Sequence, residues 1–261
     1  MYDLAALDST LAGTVFAGKL HYSPVTDSTN SDAIDAARSA APHGSVYLAD
    51  EQLAGRGRGD HAWESAAGDG LYVSVMLRPQ IPAVRLPLLP LAVGLAAAEA
   101  IRAAAGLSVD LRWPNDLLIG PKKVGGILVE SKTSGGSVDF VAVGVGINVH
   151  QWTFTPDLAT PATSLDLEAG DRVSRQELLV LLLKSLERET LGLADQAAGA
   201  LIPARVEEAS TWIRGRRVEV HGPQACTGVT AGLDEHGFLQ VRTEDGLITV
   251  QTGGIRAVEI S

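Results

Sequence analysis

The chain has 261 residues, of which 46% are apolar, and its formal net charge at pH 7 is −10. This length and composition favour one large domain, or a large and a small domain, with enough apolar sequence for a packed core. The acidic balance argues against non-specific binding of nucleic acid or anionic membranes over the whole surface. A single cysteine, Cys226, excludes an internal disulfide and a cysteine-based zinc cluster.

The N-terminal sequence is not typical of a signal peptide. Asp3 and Asp8 stand where such a peptide would carry basic residues, and we expect a cytoplasmic protein. The most apolar stretch, LPLLPLAVGLAAAEAIRAAAG from Leu86, begins with two prolines and contains Glu99 and Arg102. These interruptions favour a buried helix over a membrane span.

Extended and helical segments alternate over the first four fifths of the chain. The predicted strands are HYSPVT (21–26), SVYLADEQ (45–52), GLYVSVMLRP (70–79), VDLRWPNDLLI (109–119), KVGGILVESK (123–132) and FVAVGVGINV (140–149). Four helices are predicted. The first follows residue 26 and has Ile34 and Ala37 facing inward, and the second starts at Leu86. The third starts after a Ser174 cap, with Glu177 completing a capping box, and the fourth covers RVEEASTW (205–212). The strand that contains Pro114 must stop near it, because proline cannot donate to a sheet ladder.

After Trp212 the pattern changes to short apolar segments, separated by glycine-containing turns at intervals of about ten residues. This pattern is typical of a small β barrel or sandwich. We therefore predict two domains, residues 1–212 and 213–261.

A cationic, glycine-rich loop, AGRGRGDHAW (54–63), stands out against the acidic chain. Glycines let backbone amides approach an anion, and Arg56 and Arg58 supply charge and planar donors. The loop is therefore a candidate site for phosphate or carboxylate, and a mobile surface loop with scattered arginines is the alternative. It is neither a P-loop nor a dinucleotide-binding fingerprint, because the glycine spacing differs from both.

Three other segments place polar residues at the ends of predicted elements. DSTN (27–30) offers two hydroxyls and an amide at a helix start, RWPND (112–116) presents an amide and a carboxylate, and KKVGGILVE (122–130) sets Lys123 before two glycines. Each has a structural alternative, namely helix capping, an ordinary Asn-Asp turn and a hairpin with solvated lysines. None of the three is specific when it is considered alone.

Taken in order and spacing, EQLAGRGR with a following tryptophan, RWPND, KKVGGILVE and GVGIN resemble the motifs of the biotin–protein ligase family. The match covers nearly the whole chain, including ATSL at 162–165. The resemblance implies an α/β (α+β) fold, with a mixed-sheet catalytic domain like that of class II synthetases and a small SH3-like β barrel. It also implies a two-step reaction. Biotin and ATP, with Mg²⁺, form biotinyl-5′-AMP, and a lysine of the biotin carboxyl carrier protein of an acyl-CoA carboxylase then takes the biotin.

The resemblance also implies the roles of individual residues. For the catalytic groups it implies Arg58, Lys123 and Asp116, the last of which would orient the carrier lysine. For biotin it implies Ser28, Thr29, Asn30, Gln52, Arg56, Gly57, Arg58, Lys123, Gly125 and Gly126. For ATP and the adenylate it implies Arg56, Arg58, Trp63, Asn115, Lys123 and Asn148. No residue of the chain is predicted to be a dedicated metal ligand. This scheme needs no nucleophilic side chain, since the biotin carboxylate is itself the nucleophile.

The cationic loop departs from the family pattern, which has Gly-Arg where this chain has Asp60 and His61. The departure puts retention of the adenylate in doubt, and we hypothesise that His61 partly replaces the arginine in a pH-dependent way. We also hypothesise that the loop is disordered until ligand arrives. Trp63 is expected to cover adenine. Trp152 could touch adenine as well, although packing in the core or at a rim is the expectation for it, and Trp113 is expected in the core.

Two alternatives remain open from the sequence. One is a lipoate–protein ligase-like acyl-adenylating enzyme, and the other is a non-catalytic biotin-binding regulator. An octanoyltransferase would need a cysteine in its core, and Cys226 lies in the predicted barrel instead. The DSTN motif arrives at residue 27, so we predict no DNA-binding domain. The protein is expected to be a monomer or a homodimer, with pairing of the strands near Gly144 as one possible dimer contact.

Overall fold

The computed structural model describes residues 2–59, 61–156 and 158–258. Its helices are α1 (Leu4–Thr10), α2 (Thr29–Arg38), α3 (Leu88–Ala105), α4 (Leu165–Ala169), α5 (Arg175–Ala194), α6 (Gln196–Ala200) and α7 (Ile202–Glu208). Its strands are β1 (Leu20–Thr26), β2 (Ser45–Gln52), β3 (Gly70–Leu77), β4 (Asp110–Arg112), β5 (Asp116–Ile119), β6 (Lys122–Ser134), β7 (Ser137–Asn148), β8 (Arg214–His221), β9 (Cys226–Leu233), β10 (Leu239–Thr243), β11 (Gly246–Val250) and β12 (Gly254–Ala257).

Seven strands form one sheet in the order β1-β2-β3-β7-β6-β5-β4. The β1–β2 pair is parallel and the other pairs are antiparallel, so the sheet is mixed, as predicted. Every residue of β3 is buried, because α2 covers one face of this strand and the α3–α5 side covers the other. Val73 and Val75 belong to the large core with α3 and α5, whereas Met76 packs with Ala33 and Ala37 of α2.

Helices α3 and α5 pack against each other behind the sheet. Helix α3 is long and apolar enough to cross a membrane by composition, and 56% of its most apolar window is buried inside the fold. This burial confirms the prediction of a buried helix. The Ser174 hydroxyl accepts a hydrogen bond from the Glu177 amide at 3.2 Å, which confirms the predicted start of α5.

One strand prediction needs correction. The segment 109–119 is a tight β4–β5 hairpin rather than a single strand, because the chain leaves the ladder after Arg112 and resumes pairing at Asp116. The strand at Gly144 has no free edge for pairing with a second copy, and the oligomeric state stays a prediction. Gly144 is on β7, in the interior of the sheet, and pairs with Ser74 of β3 and Leu128 of β6. Both edges of β7 are therefore occupied at this position.

The last five strands form a separate antiparallel sheet in the order β11-β10-β9-β8-β12. It begins at Arg214, close to the predicted boundary, while the division into two domains and the SH3-like closure stay predictions. The Trp113 indole is 4% exposed and its Nε1 donates to the Gly237 carbonyl at 3.1 Å. Trp113 therefore lies in the core, as expected, and connects the first sheet to the second.

Candidate functional site

A cleft of about 1070 Å³ lies between the start of α2, the cationic loop, the β5–β7 region, residues 151–162 and turns of the second sheet. It brings together most of the residues proposed from the sequence. Those that line it are Ser28, Thr29, Asn30, Gln52, Arg56, Gly57, Arg58, Trp63, Asn115, Asp116, Lys123, Gly126 and Asn148. Five motifs that are up to 120 residues apart in the chain therefore meet around one space.

Gly125 does not line this cleft. A Cβ at this position would lie 2.8 Å from the Gly146 carbonyl oxygen and 2.9 Å from Leu117 Cδ1. The glycine is therefore needed where β6 packs against its neighbouring strands, and its position gives no support to the predicted contact with biotin.

One end of the cleft is a buried group of hydroxyls and amides. Gln52 Oε1 accepts from the Thr29 amide at 2.9 Å and from the Thr29 hydroxyl at 3.1 Å. The Thr29 hydroxyl is also 2.8 Å from the Ser74 hydroxyl, and Gln52 Nε2 donates to Ser65 at 2.7 Å. Ser28 is the N-cap of α2, yet its hydroxyl makes no capping hydrogen bond. Helix capping, the structural alternative for this motif, therefore does not account for the Ser28 side chain.

Glu130, on β6, connects this polar end to the cationic loop. Its carboxylate accepts two hydrogen bonds from the Arg56 guanidinium, at 3.1 and 2.7 Å. The same carboxylate accepts from Asn30 Nδ2 at 2.5 Å. The sequence prediction left Glu130 out. The only available signal was its position at the end of the KKVGGILVE motif, seven residues after Lys123.

The cationic loop is folded back on itself. Gly57 N donates to the His61 carbonyl at 2.7 Å, and Trp63 N donates to the Gly55 carbonyl at 2.9 Å. A Cβ at Gly55 would lie 2.3 Å from the Trp63 carbonyl oxygen, so this turn requires glycine. Asp60, half of the departure from the family pattern, lies outside the described residues. Ligand-dependent ordering of the loop and the role of His61 stay predictions.

Arg58 reaches from this loop to the second sheet. Its guanidinium donates to the Gly253 carbonyl at 2.7 Å and to the Thr252 hydroxyl at 3.4 Å. Burial lowers the pKa of Arg58, and the carboxylate of Asp116 partly opposes this shift. The second sheet is therefore part of the site, since its turns around Gly222 and Gly253 also line the cleft.

The Trp63 indole packs against two glycines of the sheet. A Cβ at Gly146 would be 2.7 Å from Trp63 Nε1, and one at Gly126 would be 3.5 Å from Trp63 Cζ3. The ammonium of Lys123 is 5.5 Å from the centre of the indole ring, within range of a cation–π interaction. Trp63 Nε1 is buried and has no hydrogen-bond partner in the part of the chain that the structure describes. The Trp63 side chain therefore lies against both the sheet and the ammonium group of Lys123.

Asp116 is held between two cations. Its Oδ1 is 2.5 Å from Lys123 Nζ, and its Oδ2 accepts from Arg112 Nε and Nη2 at 3.0 and 2.6 Å. Burial would raise the pKa of this carboxyl group, but Lys123 and Arg112 together outweigh burial and hold the pKa below its usual range. Asp116 is therefore ionised at neutral pH. Arg112 also donates to the Thr160 hydroxyl at 2.9 Å, and it was not among the predicted site residues.

Two backbone hydrogen bonds fix the position of Lys123. Its N–H donates to the Pro161 carbonyl at 2.7 Å, and its own carbonyl accepts from Thr163 N at 2.9 Å. Asn115 and Asn148 are also fixed by hydrogen bonds to the backbone. The Asn115 side-chain amide donates to the Ile127 carbonyl at 2.7 Å, and the Asn148 side-chain amide donates to the Thr163 carbonyl at 3.0 Å. The contacts of Lys123 and Asn148 hold Pro161 and Thr163 against the strand ends, whereas Asn115 joins the β4–β5 turn to β6. Residues 151–162 supply one wall of the cleft that sequence reasoning did not find.

The prediction for Trp152 needs correction. Its side chain is 69% exposed, so packing in the core is wrong, while a place at the rim of the cleft stays a prediction. The cause is the irregular path of the chain after Asn148. Its neighbours Gln151 and Thr153 line the cleft, whereas Trp152 remains at the surface.

The described residues form no metal cage at the site. Among the described residues, no group of three or more His, Cys, Asp or Glu side chains is close enough to hold a metal ion. The carboxylates of Glu130 and Asp116 are both paired with cations. The cleft has a buried polar end, formed by hydroxyls and amides, beside a cationic end. It can bind an anionic ligand that also carries hydrogen-bonding groups, and it can neutralise charge that develops on that ligand.

Comparison with known proteins gives a consistent result. Residues 22–148 match the Biotin/lipoate A/B protein ligase family. The chain is 34% identical over 244 residues to the Bifunctional ligase/repressor BirA of Bacillus spizizenii, covering 90% of this chain and 73% of that protein. It is 36% identical over 235 residues to a Biotin--[acetyl-CoA-carboxylase] ligase of Paracoccus denitrificans, covering 85% of this chain and 93% of that protein.

Solved structures show the same likeness. The biotin protein ligase from Aquifex aeolicus in complex with biotin and ATP superposes with a TM-score of 0.79 at 30% identity, over 92% of this chain and all of that one. A structure of the same Aquifex aeolicus protein without ligand in its description gives a TM-score of 0.76 at 27% identity. The likeness extends through both sheets, which confirms the predicted fold class.

Proposed function

This chain belongs to the Biotin/lipoate A/B protein ligase family, and from that premise we propose that it is an ATP-dependent biotin–protein ligase. The observation that carries the proposal is the juxtaposition within one cleft of a buried hydroxyl and amide group with Arg58 and Lys123. The first suits a ureido ring, which offers one acceptor and two donors. The second suits a carboxylate next to a phosphate.

In the first step, an oxygen of the biotin carboxylate bonds to the α-phosphorus of ATP, and the bond from that phosphorus to the pyrophosphate oxygen breaks. The products are biotinyl-5′-AMP and pyrophosphate. Two anions must approach each other, and the cations of Lys123 and Arg58 reduce their repulsion. The chain supplies no nucleophile to this step. Its contribution is to place the reactants together and to balance charge.

In the second step, a lysine amine of the carrier protein attacks the biotinyl carbonyl carbon and AMP leaves. We infer that Asp116 orients this amine, because it is an ionised carboxylate at the cleft beside Lys123. The amine must be neutral to attack, and a carboxylate that accepts its hydrogen bond favours the approach. The proposed carrier is the biotin-carrying part of an acetyl-CoA carboxylase, since the Paracoccus denitrificans relative bears that name.

Mg²⁺ would arrive with the nucleotide. Mg²⁺ is commonly held by substrate phosphates and one or two carboxylates rather than by a protein cage. This fits the donor set here, which has no three-residue cluster in its described part. When bound, the ion would neutralise triphosphate charge alongside Lys123 and Arg58.

Biotin is favoured over lipoate as the acyl substrate. The dithiolane ring of lipoate has no N–H group, so it would leave the buried Asn30 Oδ1, which has no hydrogen-bond partner among the described residues, without a donor. A site built for hydrogen bonding strongly rejects a ligand that lacks the matching group. Retention of Lys123 and Asp116 argues against a non-catalytic regulator. Oligomeric state, DNA binding and cellular compartment stay predictions.

The decisive experiment supplies the protein with biotin, ATP, Mg²⁺ and a biotin-carrier domain. The carrier is then weighed by mass spectrometry, and pyrophosphate release is followed in parallel. We expect one biotin per carrier and pyrophosphate release that depends on biotin. Lys123→Met is the matched inactive control. Pyrophosphate release with lipoate in preference to biotin would establish the alternative ligase, and binding of biotin without pyrophosphate release would establish a regulator.

A further inference from the structure

Glu130 occupies an unusual position, because one carboxylate contacts both the polar end of the cleft and the cationic loop. It pairs with Arg56 through two hydrogen bonds and accepts a third from Asn30 Nδ2 at 2.5 Å. Arg56 lies 74 positions earlier in the chain and Asn30 lies 100 positions earlier. The sequence patterns assigned it no role.

The contact with Glu130 fixes which way the Asn30 amide faces. An ionised carboxylate only accepts hydrogen bonds, so the NH₂ group of the amide must be the side that faces Glu130. The carbonyl oxygen Oδ1 then points the opposite way. Asn30 is 4% exposed, and its Oδ1 receives no hydrogen bond from the part of the chain that the structure describes. An acceptor that is buried without a partner costs free energy until a donor arrives.

The strand beside this buried oxygen places no side chain against it. A Cβ at Gly144 would lie 2.9 Å from Asn30 Oδ1, so a side chain there would displace the Asn30 amide. Gly144 and Asn30 both line the cleft. A ligand that enters the polar end can therefore bring an N–H group to an acceptor that the folded chain leaves unused.

We propose that Glu130 is a positioning residue that holds the Asn30 amide with Oδ1 presented to the ligand, and so selects ligands with an N–H group at that end. The inference rests on the proposed function, in which the ligand there is the ureido ring of biotin. Glu130 touches no reacting atom. It acts through Asn30, while its second contact keeps Arg56 attached to β6.

The test uses Glu130→Gln in the full-length protein. A glutamine can accept from the Asn30 NH₂ group or donate to Oδ1, so the Asn30 amide is no longer forced into one orientation. Glu207→Gln is the matched control. Glu207 also forms two hydrogen bonds with an arginine, Arg214, at 2.7 and 3.2 Å, but it is absent from the described lining of the cleft.

Two probes are titrated by calorimetry without ATP. One is biotin, and the other is its cyclic-carbonate analogue, in which both ring N–H groups are replaced by oxygens. We expect the wild type to prefer biotin by roughly 100-fold and Glu130→Gln to prefer it by roughly tenfold or less. Glu207→Gln should behave as the wild type. In an Asn30→Ala background, Glu130→Gln should change the preference by less than about threefold.

The outcomes separate the claims. Equal weakening of both probes by Glu130→Gln would show that it acts only through Arg56 and would overturn the positioning role. An unchanged preference would overturn it as well. If the wild type did not bind biotin, the proposed function would be wrong and this inference would go with it. Thermal melts of each variant confirm that the affinities refer to folded protein.

Discussion

The contact of Trp63 with Gly146 gives the sharpest test of how the cleft is closed. In Gly146→Ala the new Cβ would lie 2.7 Å from Trp63 Nε1 and 2.8 Å from Cε2, closer than side-chain carbons normally approach. One of the two must move. β7 is paired on both sides at this residue, with Tyr72 and Gly126, so the sheet cannot yield. The indole, on a loop, must shift away from the sheet.

The size of the effect follows from the cost of overpacking, which is about 1–3 kcal/mol per site. That range corresponds to roughly a 5- to 150-fold loss of the closed arrangement of the loop. Gly126→Ala is the matched control. Gly126 pairs with Gly146 on the adjacent strand, but its Cβ would be 3.5 Å from Trp63 Cζ3, an ordinary contact distance. The two variants therefore add the same atom to neighbouring positions and differ mainly in the clash.

The assay is dissociation of preformed biotinyl-5′-AMP, followed by stopped-flow fluorescence. We expect roughly 5- to 150-fold faster release from Gly146→Ala and a clearly smaller acceleration from Gly126→Ala, whose added methyl group meets the indole only at an ordinary contact distance. The free energy of unfolding, measured in urea, should change by less than the free-energy equivalent of the faster release, because movement of a surface loop relieves the strain. Equal release rates in the two variants would refute the reasoning, since the difference of 0.8 Å between their contacts is its only basis.

Three further predictions concern charge and backbone. Lys123→Met should raise the pKa of Asp116, because Arg112 alone then opposes burial. The pair stabilises the fold above the unfolded carboxyl pKa of about 4 and loses this effect as pH falls through the lower folded pKa. Urea unfolding should therefore show a larger loss at pH 7 than at pH 3, and an equal loss at both would contradict the assignment. Gly253→Ala should destabilise the protein by more than about 2 kcal/mol, because φ is +124° and its Cβ would be 2.0 Å from a carbonyl oxygen. If the free energy of unfolding of Gly253→Ala equalled that of the wild type, the backbone would not be strained at this position. Ser174→Ala should cost about 1 kcal/mol through loss of the α5 cap, measured by thermal unfolding. No change in melting temperature would show that the cap is dispensable.

Much of the first sheet was predictable because its apolar residues and turns are local signals. The predicted strand 45–52 matches β2 at both ends, and the glycine turn between β6 and β7 lies where it was expected. Ser174 marked the start of α5 correctly. The candidate site was found through motifs in which glycines and charged residues occur close together. Such patterns can be recognised without knowing how distant strands pair.

The parts that were missed depend on distant pairing. Glu130 became visible only when β6 was placed beside α2 and the loop, because nothing in the local sequence indicates its partners. Arg58 was assigned to the ligand, but in the structure it also contacts a carbonyl 195 positions later. The short helix α1 buries only Leu7, so it has too little periodicity to detect. The β4–β5 hairpin was missed because Pro114 explained the break equally well.

The contacts that Arg58 and Trp113 make with the second sheet have a consequence for dissecting the protein. A fragment that ended at residue 212 would keep every motif recognised in the sequence, but it would lose one wall of the cleft. The Trp113 indole would lose its acceptor at Gly237, and Arg58 would lose the carbonyl that anchors its guanidinium. The second sheet, Arg214–Ala257, therefore behaves as an integral side of the reaction chamber and not as a detachable appendage, so activity should require it in the same polypeptide.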